Sequence, residues 1–395
     1  MTPTTAVSRL SGKARRVEPF HVMRLLARAG ELESLGRSIV HMEVGEPDFP
    51  TPGPILEAGR HALADGDTRY TSASGLPALR RAIADYYADR YDTPVAPERI
   101  LVTPGASGAL QLVFLSLLDP GDRVLICDPS YPCYRQVLQL LGVEPIAVPV
   151  GPDTDYQLTA ALAEAAWVPG VRAIVVASPS NPTGSSIAPE VLTDLHALCR
   201  DRGAALVVDE IYQGLTYDVP DRTALSLGSD DLYVINSFSK YFGMTGWRLG
   251  WLAGPQDAVE VMERMAQNLF IAANTPAQYA ALAAFEPATI EILEMRRLAF
   301  QGRRDRLLPA LHGLGFGIPA QPSGAFYLYA RLPECLAVDS MTFTGRMLEE
   351  AGVALTPGHD FGRHAAGRHV RFAYTREIED LDEGVRRIGD WLARV

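Results

Sequence analysis

Lys240 lies in a short segment that places an amine, a hydroxyl and a guanidinium at fixed spacing. Ser237 ends the apolar run LYVINS, Lys240 lies just past it, and Arg248 follows the lysine. A lysine at the end of a buried strand, among hydroxyls and aromatic rings, can lose hydration, which lowers its pKa and makes its amine a nucleophile. A lone lysine in a loop is more often an ordinary surface residue. The triplet instead predicts a site around a phosphorylated cofactor.

A second candidate is the turn Gly105–Gly108, which joins the apolar run ILVT to the helical pattern ALQLVFLSLL. Small residues let backbone N–H groups approach an anion, and the N-terminus of a helix carries partial positive charge. Any tight turn between a strand and a helix uses the same residues, so this signal is weak without Lys240.

Polar and aromatic side chains end several other apolar runs. A buried carboxylate is costly unless it is paired, a rigid aromatic ring can stack on a planar ligand, and a guanidinium can bind a carboxylate through two hydrogen bonds. Each residue alone has an ordinary structural explanation, as a loop or surface side chain. The candidates are Tyr131 in DPSYP, Asn181 in the turn SNPTG, Asp209 and Tyr212 in DEIY, and Arg371 in HVRFAYT.

The segment SFSKYFGMTGWRLG resembles the lysine signature of class I/II aminotransferases, which are fold-type I enzymes that depend on pyridoxal 5′-phosphate. The resemblance implies that Lys240 holds the cofactor as a Schiff base and acts as the general base and acid of a ping-pong transamination between an α-amino acid and an α-keto acid. It also implies a phosphate site formed by Ser237, Arg248, Ala106 and Ser107.

The same resemblance extends in order from Gly45 to Arg371 and implies roles for the other candidates. Tyr131 would stack on the cofactor ring, and Asp209 would pair with the ring nitrogen and make the ring a stronger electron sink. Asn181 and Tyr212 would contact the phenolic oxygen. The substrate carboxylate would meet Arg371, Asn181 and the segment that begins at Gly45, while Tyr70 would reach the cofactor phosphate of a neighbouring subunit in a homodimer with shared active sites.

The order of elements fits this family. Strand-like and helix-like segments alternate between about residues 99 and 252, which predicts an α/β fold with a mostly parallel sheet and ligands at the carboxyl ends of its strands. The resemblance implies seven strands and a smaller α+β domain. We expect residues 1–44 to contribute to the small domain and the dimer interface, residues 45–285 to form the large cofactor-binding domain and residues 286–395 to form the small one.

Composition excludes several other classes. The 395 residues carry a net charge of −11, which gives no broad basic surface for nucleic acid or anionic lipid. No apolar run is long enough to span a membrane, and no secretion signal stands at the N-terminus. The four cysteines show no metal-ligand spacing, so we expect no metal site and a reducing cytoplasm.

Substrate choice rests on fewer residues. Some relatives that accept dicarboxylates supply a lysine from the phosphate turn, where this chain has Ser107. Apolar residues in the segment 19–23 could line the entrance. We therefore expect a neutral amino acid, such as alanine or a branched-chain or aromatic one, with an acidic amino acid or its keto acid as the second partner. A charge for acidic substrates could still come from Arg69, Arg15, Arg16 or Arg24.

Two alternatives remain open at this point. Carbon–sulfur lyases of the same fold share nearly the same cofactor residues but eliminate rather than transfer. A cofactor-sensing transcription regulator would need an N-terminal DNA-binding module, and only 44 residues precede Gly45, too few for one.

Overall fold

The computed structural model of the protein describes residues 10–228, 231–319 and 321–394. In these ranges the chain alternates between helices and strands, in the order α1 Gly12–Arg16, α2 His21–Ser34, β1 Val40–His41, α3 Gly53–Ala64, α4 Pro77–Tyr91, β2 Ile100–Thr103, α5 Gly105–Leu117, β3 Arg123–Asp128, α6 Pro132–Leu141, β4 Glu144–Pro149, α7 Ala160–Ala165, β5 Val171–Ala177, α8 Pro189–Arg202, β6 Ala205–Asp209, β7 Leu232–Ser237, β8 Gly250–Ala253, α9 Gln256–Leu269, α10 Thr275–Leu282, α11 Pro287–Gly313, β9 Tyr327–Arg331, α12 Ser340–Arg346, β10 Val353–Ala354, β11 Thr356–Pro357, β12 His369–Ala373 and α13 Ile378–Leu392.

The central sheet has seven strands in the order β2-β8-β7-β6-β5-β3-β4. Strand β8 runs antiparallel to both of its neighbours, and the other strands are parallel to one another. The prediction of an α/β fold around a mostly parallel sheet of seven strands is confirmed.

Both faces of this sheet are buried, as the near-continuous apolar strands predict. On β6, Leu206 and Val208 pack into one hydrophobic cluster, while Ala205 and Val207 pack into a second cluster on the opposite face. Polar side chains are therefore confined to the strand ends. The end of the preceding helix also follows the sequence: Gly203 caps α8 with a φ of +63°, as expected for a glycine just past the C-terminus of a helix.

A smaller antiparallel sheet has the order β11-β12-β9; β9 lies in the segment GAFYLYARL and β12 in HVRFAYT. Residues of α2 and β1, near the start of the chain, pack against the C-terminal part of the chain that contains this sheet. Strand β1 pairs with β10 through Val40 and Val353, and Leu32 of α2 packs against Leu348. The domain boundaries given above stay a prediction.

None of the described helices is long and apolar enough to cross a membrane. The four cysteines are free thiols. In the described ranges, no three His, Cys, Asp or Glu side chains are grouped so that they could hold a metal ion.

Candidate active site

A cavity of about 230 Å³ opens at the carboxyl ends of the central strands. Its wall brings together residues that lie far apart in the sequence. Of the candidates from the sequence, nine lie on it: Gly45, Ala106, Ser107, Tyr131, Asn181, Asp209, Tyr212, Lys240 and Arg371.

Lys240 follows the end of β7, and its Nζ donates a hydrogen bond to the carbonyl oxygen of Gly45 at 2.6 Å. Burial lowers the pKa of this amine to about 8, the nearby carboxylate of Glu46 opposes that shift, and Arg371 and Arg248 add to it. Near neutral pH a useful fraction of the amine is therefore unprotonated, which is the form that attacks a carbonyl carbon.

Asp209 is the last residue of β6 and is buried. Its Oδ1 accepts the backbone N–H of Ile211 at 3.1 Å, and its Oδ2 accepts the hydroxyl of Tyr134 at 2.5 Å. Burial raises the pKa of Asp209 to about 6, and the hydroxyl of Tyr134 opposes the shift. No lysine, arginine or histidine in the described ranges forms an ion pair with this carboxylate.

Tyr212 lies three residues after Asp209, in the turn that follows β6, and it is buried. Its hydroxyl shares a hydrogen bond of 2.8 Å with the hydroxyl of Tyr327. A Cβ atom at Gly45 would lie 1.9 Å from that same hydroxyl of Tyr327. Glycine is therefore required at position 45, where the backbone borders the cavity.

Arg371 projects from β12 and is buried. Its Nη1 donates to Asn181 Oδ1 at 2.8 Å, and its Nη2 donates to the carbonyl oxygen of Glu43 at 2.7 Å. The guanidinium lies against the rings of Tyr327 and Phe361, with distances of 4.2 Å and 4.8 Å to the ring centroids. Its Nε is buried and has no partner among the described residues, which leaves a donor for an anion from outside the chain.

The predicted phosphate site is a crowded turn at the start of α5. Gly105 has a φ of +72°, and a Cβ atom there would lie 2.8 Å from Nη2 of Arg248. A Cβ atom at Gly250 would come within 2.9 Å of the backbone nitrogen of Ala106. Two glycines thus let the guanidinium and a neighbouring strand approach the N-terminus of the helix, where an anion is favoured.

Three candidates are not on the wall of the cavity. Ser237 is buried, and its Oγ contacts Ser239 Oγ at 2.9 Å and the carbonyl oxygen of Leu249 at 3.1 Å. Arg248 is exposed beside the phosphate turn. The side chain of Tyr70 is 80% exposed, so within one chain it contributes nothing to the cavity.

Three of the four arginines considered for acidic substrates are also absent from the wall. Arg15, Arg24 and Arg69 are exposed elsewhere, and the side chain of Arg16 lies outside the described part of the structure. The apolar segment near them does reach the cavity, because Phe20 and Val22 line it. Asp360 holds this segment: its carboxylate accepts the backbone N–H groups of His21 and Val22 at 2.7 Å and 2.8 Å.

Sequence reasoning missed several residues of the cavity wall. Tyr134 follows Tyr131 by three residues at the start of a helix, so the helical period places both on one face. Tyr327 begins β9, a strand that carries no recognisable polar motif. Thr356 belongs to β11, Asp360 and Phe361 follow that strand, and only the tertiary packing brings them to the site.

The geometry agrees with comparisons to known proteins. The family model for aminotransferase class I and II matches residues 37–388. A valine–pyruvate aminotransferase of Mycobacterium tuberculosis is 38% identical over 95% of this chain and 97% of its own length. An aspartate/prephenate aminotransferase of Thermus thermophilus is 35% identical over 98% of this chain and 99% of its own.

The chain belongs to the class I and II aminotransferase family. The crystal structure of an aminotransferase from Mycobacterium tuberculosis superposes on this aminotransferase with a TM-score of 0.94 at 37% identity, covering 98% of this chain and all of the other. The resemblance drawn from the lysine segment is thereby confirmed. This aminotransferase transfers amino groups, and its relatives do not favour the lyase alternative.

Proposed function

We propose that this aminotransferase binds pyridoxal 5′-phosphate in the cavity and acts on neutral, apolar α-amino acids. The residues present fit the cofactor in three respects. Asp209 is a buried carboxylate without a described cationic partner, Arg371 has a buried Nε without an acceptor, and Gly105 leaves room for Arg248 beside a helix N-terminus. These features supply complements to a ring N–H, a carboxylate and a phosphate.

Each residue of the cavity would then take one task. Lys240 would hold the aldehyde carbon, Tyr131 would lie against the ring, and Asp209 would accept the ring N–H. The backbone of Ala106 with Ser107, Ser237 and Arg248 would bind the phosphate. Asn181 Oδ1 accepts a hydrogen bond from Arg371 Nη1. The amide NH₂ of Asn181 and the hydroxyl of Tyr212 would therefore be the donors to the phenolic oxygen of the cofactor.

When bound, the cofactor supplies the aldehyde that receives the amino group and the ring that withdraws electrons from Cα. The chain supplies orientation and proton transfer. Arg371 binds the α-carboxylate of the amino acid and so fixes the direction of its Cα–H bond. Lys240 takes the Cα proton on Nζ and later gives it up, and its pKa of about 8 suits both tasks near neutral pH.

The charges on the cavity wall support a neutral side chain in the substrate. Among the described lining residues the cations are Lys240 and Arg371. Both would act on groups that every α-amino acid has, Lys240 on the Cα proton and Arg371 on the α-carboxylate. Ser107 offers no charge for a second carboxylate, and Phe20 and Val22 add apolar surface. This pairing of one substrate arginine with an apolar wall is the observation that carries the proposal.

Half-reactions with single amino acids test this specificity. The purified enzyme, loaded with pyridoxal 5′-phosphate, is mixed with alanine, valine, leucine, phenylalanine, aspartate or glutamate, and the absorbance change that accompanies amino-group uptake is followed. We expect faster uptake from the neutral donors. Faster uptake from aspartate would contradict the substrate proposal, and ammonia release from one substrate without a keto acid would contradict transamination.

Substitution of Lys240 by alanine tests the central residue. The variant should still fold and take up the cofactor, because the phosphate and ring contacts remain, but its turnover should be lost. Substantial residual turnover would show that another group moves the proton.

A homodimer with shared active sites completes the proposal. Tyr70 stands exposed beside Arg69, available to another copy of the chain. Subunit mixing is the test: Lys240→Ala chains and Tyr70→Ala chains, each weak alone, should regain activity together, because one site of the mixed dimer receives both native residues. Failure to regain activity in a mixture shown to contain hybrid dimers would contradict a shared site. Cytoplasmic location stays a prediction.

A further inference from the structure

Tyr134 makes a hydrogen bond to Asp209 that neither the reaction nor the substrate requires directly. It lies in the first turn of α6, and its hydroxyl donates to Asp209 Oδ2 at 2.5 Å. The side chains of both residues are buried. Its ring meets that of Tyr131 edge to face, with 5.6 Å between centroids and 84° between planes. One helical turn therefore carries both a ring for the cofactor face and a donor for the carboxylate beneath it.

The surroundings of Asp209 make this donor important. The carboxylate has two described donors, the backbone N–H of Ile211 on Oδ1 and the hydroxyl of Tyr134 on Oδ2. A buried carboxylate with too few donors takes up a proton and becomes neutral. Other titratable groups that interact with it are the phenol of Tyr131, the thiol of Cys133 and the buried carboxyl of Glu210, and none of them brings positive charge.

We propose that Tyr134 is a positioning residue whose phenol keeps Asp209 ionised and aimed at the ring nitrogen of the bound cofactor. The inference rests on the proposed function, since it needs a cofactor with a basic ring nitrogen. Tyr134 acts through Asp209: the ionised carboxylate keeps the proton on the ring nitrogen, and the protonated ring withdraws electrons most strongly. A hydroxyl suits this position because it donates to the carboxylate without adding a charge that would compete with the ring N–H.

The test compares two ligands that differ at one atom. Dissociation constants of pyridoxal 5′-phosphate and of an analogue with carbon in place of the ring nitrogen are measured for the native enzyme and for Tyr134→Phe. We expect the variant to bind pyridoxal 5′-phosphate about tenfold more weakly. This factor corresponds to the low end of the free energy that a hydrogen bond to a charged group contributes. The affinity of the variant for the analogue should not change. Equal weakening of both ligands, or weakening of neither, would overturn the inference.

Two controls separate this effect from general damage. Tyr233→Phe removes another phenol hydroxyl on the same sheet, near the amino end of β7 and therefore away from the carboxyl ends of the strands where the cavity lies, and it should change neither affinity. In an Asp209→Asn background, Tyr134→Phe should cause no further loss of cofactor affinity, because the carboxylate through which it acts is gone. A further loss of similar size would instead indicate a packing role.

A spectroscopic measurement covers the case in which Tyr134→Phe does not fold. With 3-fluorotyrosine at position 134, the phenol is a stronger donor of nearly the same shape, and the ¹⁵N resonance of the bound ring nitrogen should move towards the protonated form. An unchanged resonance would overturn the proposal. If the native enzyme itself bound no pyridoxal 5′-phosphate, the proposed function would fail. Normal binding with an unaffected Tyr134→Phe variant would refute only the role of Tyr134.

Discussion

Arg371 and Asn181 join the two sheets across the cavity, with Arg371 Nη1 donating to Asn181 Oδ1 at 2.8 Å. The arginine comes from β12 of the smaller sheet, and the asparagine follows β5 of the central sheet. The contact aligns the amide of Asn181 and, at the same time, fixes the plane of the guanidinium. One hydrogen bond thus couples the proposed substrate carboxylate site to the proposed cofactor site.

Replacement of Arg371 by lysine should weaken amino acid binding. An ammonium cannot make the planar pair of hydrogen bonds to a carboxylate, and it also loses the contact with Asn181 or with Glu43 O. We expect KM for alanine to rise by about tenfold to a hundredfold, measured by steady-state kinetics. Uptake of amino groups from propylamine, which has no carboxylate, is the control and should hardly change. Equal losses with both donors would point to a disturbed cofactor site instead.

The pH dependence of cofactor capture should report the pKa of Lys240. Burial lowers that pKa from 10.5 to about 8, and only the neutral amine attacks the aldehyde, so its reactive fraction rises as pH increases through about 8. Capture of pyridoxal 5′-phosphate by the cofactor-free enzyme, followed by stopped-flow absorbance, should accelerate and then level off above pH 9. Binding of pyridoxine 5′-phosphate, which has no aldehyde, should lack this step. A rate that keeps rising towards pH 10.5 would show an ordinary, solvated lysine.

A positive charge at position 107 should shift specificity towards acidic substrates. Ser107 lies on the cavity wall, and a lysine there could pair with a second carboxylate. We expect Ser107→Lys to raise the ratio of kcat/KM for aspartate to that for alanine by about tenfold, which corresponds to roughly 1.4 kcal/mol. Ser107→Met has a side chain of similar length without charge and is the matched control. An equal ratio in the two variants would exclude an electrostatic effect. Cofactor affinity is measured in both variants, because Ser107 also belongs to the proposed phosphate site.

Asp360 should affect the activity towards large apolar substrates, because it holds the start of α2 at the cavity. It accepts the first two backbone N–H groups of α2, from His21 and Val22, and so holds Phe20 and Val22 on the cavity wall. In Asp360→Ala these helix N–H groups lose their acceptor, so kcat/KM should fall severalfold more for leucine than for alanine. Thr159→Ala removes a side-chain acceptor at the N-terminus of α7, where Oγ1 accepts the backbone N–H of Leu162 at 3.2 Å, and it should leave the ratio unchanged because Thr159 does not line the cavity. Parallel losses for both amino acids in Asp360→Ala would disprove a role in specificity.

Much of the central fold was predictable because local patterns and global packing agree there. The apolar strands of the βαβ region have to be buried on both faces, which leaves polar residues such as Asp209 only at strand ends. Parallel strands then gather those ends at one edge of the sheet. Nine of the twelve candidate residues from short motifs therefore line one cavity, and the family comparisons confirmed the enzyme class.

The tertiary structure decided what depends on contacts between distant segments. Tyr327 reaches Tyr212, Asp360 holds the start of α2, and Tyr134 donates to Asp209, although no local pattern links the members of these pairs. The shifted pKa values of Lys240 and Asp209 arise from burial, which a sequence motif does not measure. The sequence by itself determined the chemistry, because reactive residue types stand at strand ends, whereas the shape and charge that select a substrate come from loops brought together only by folding.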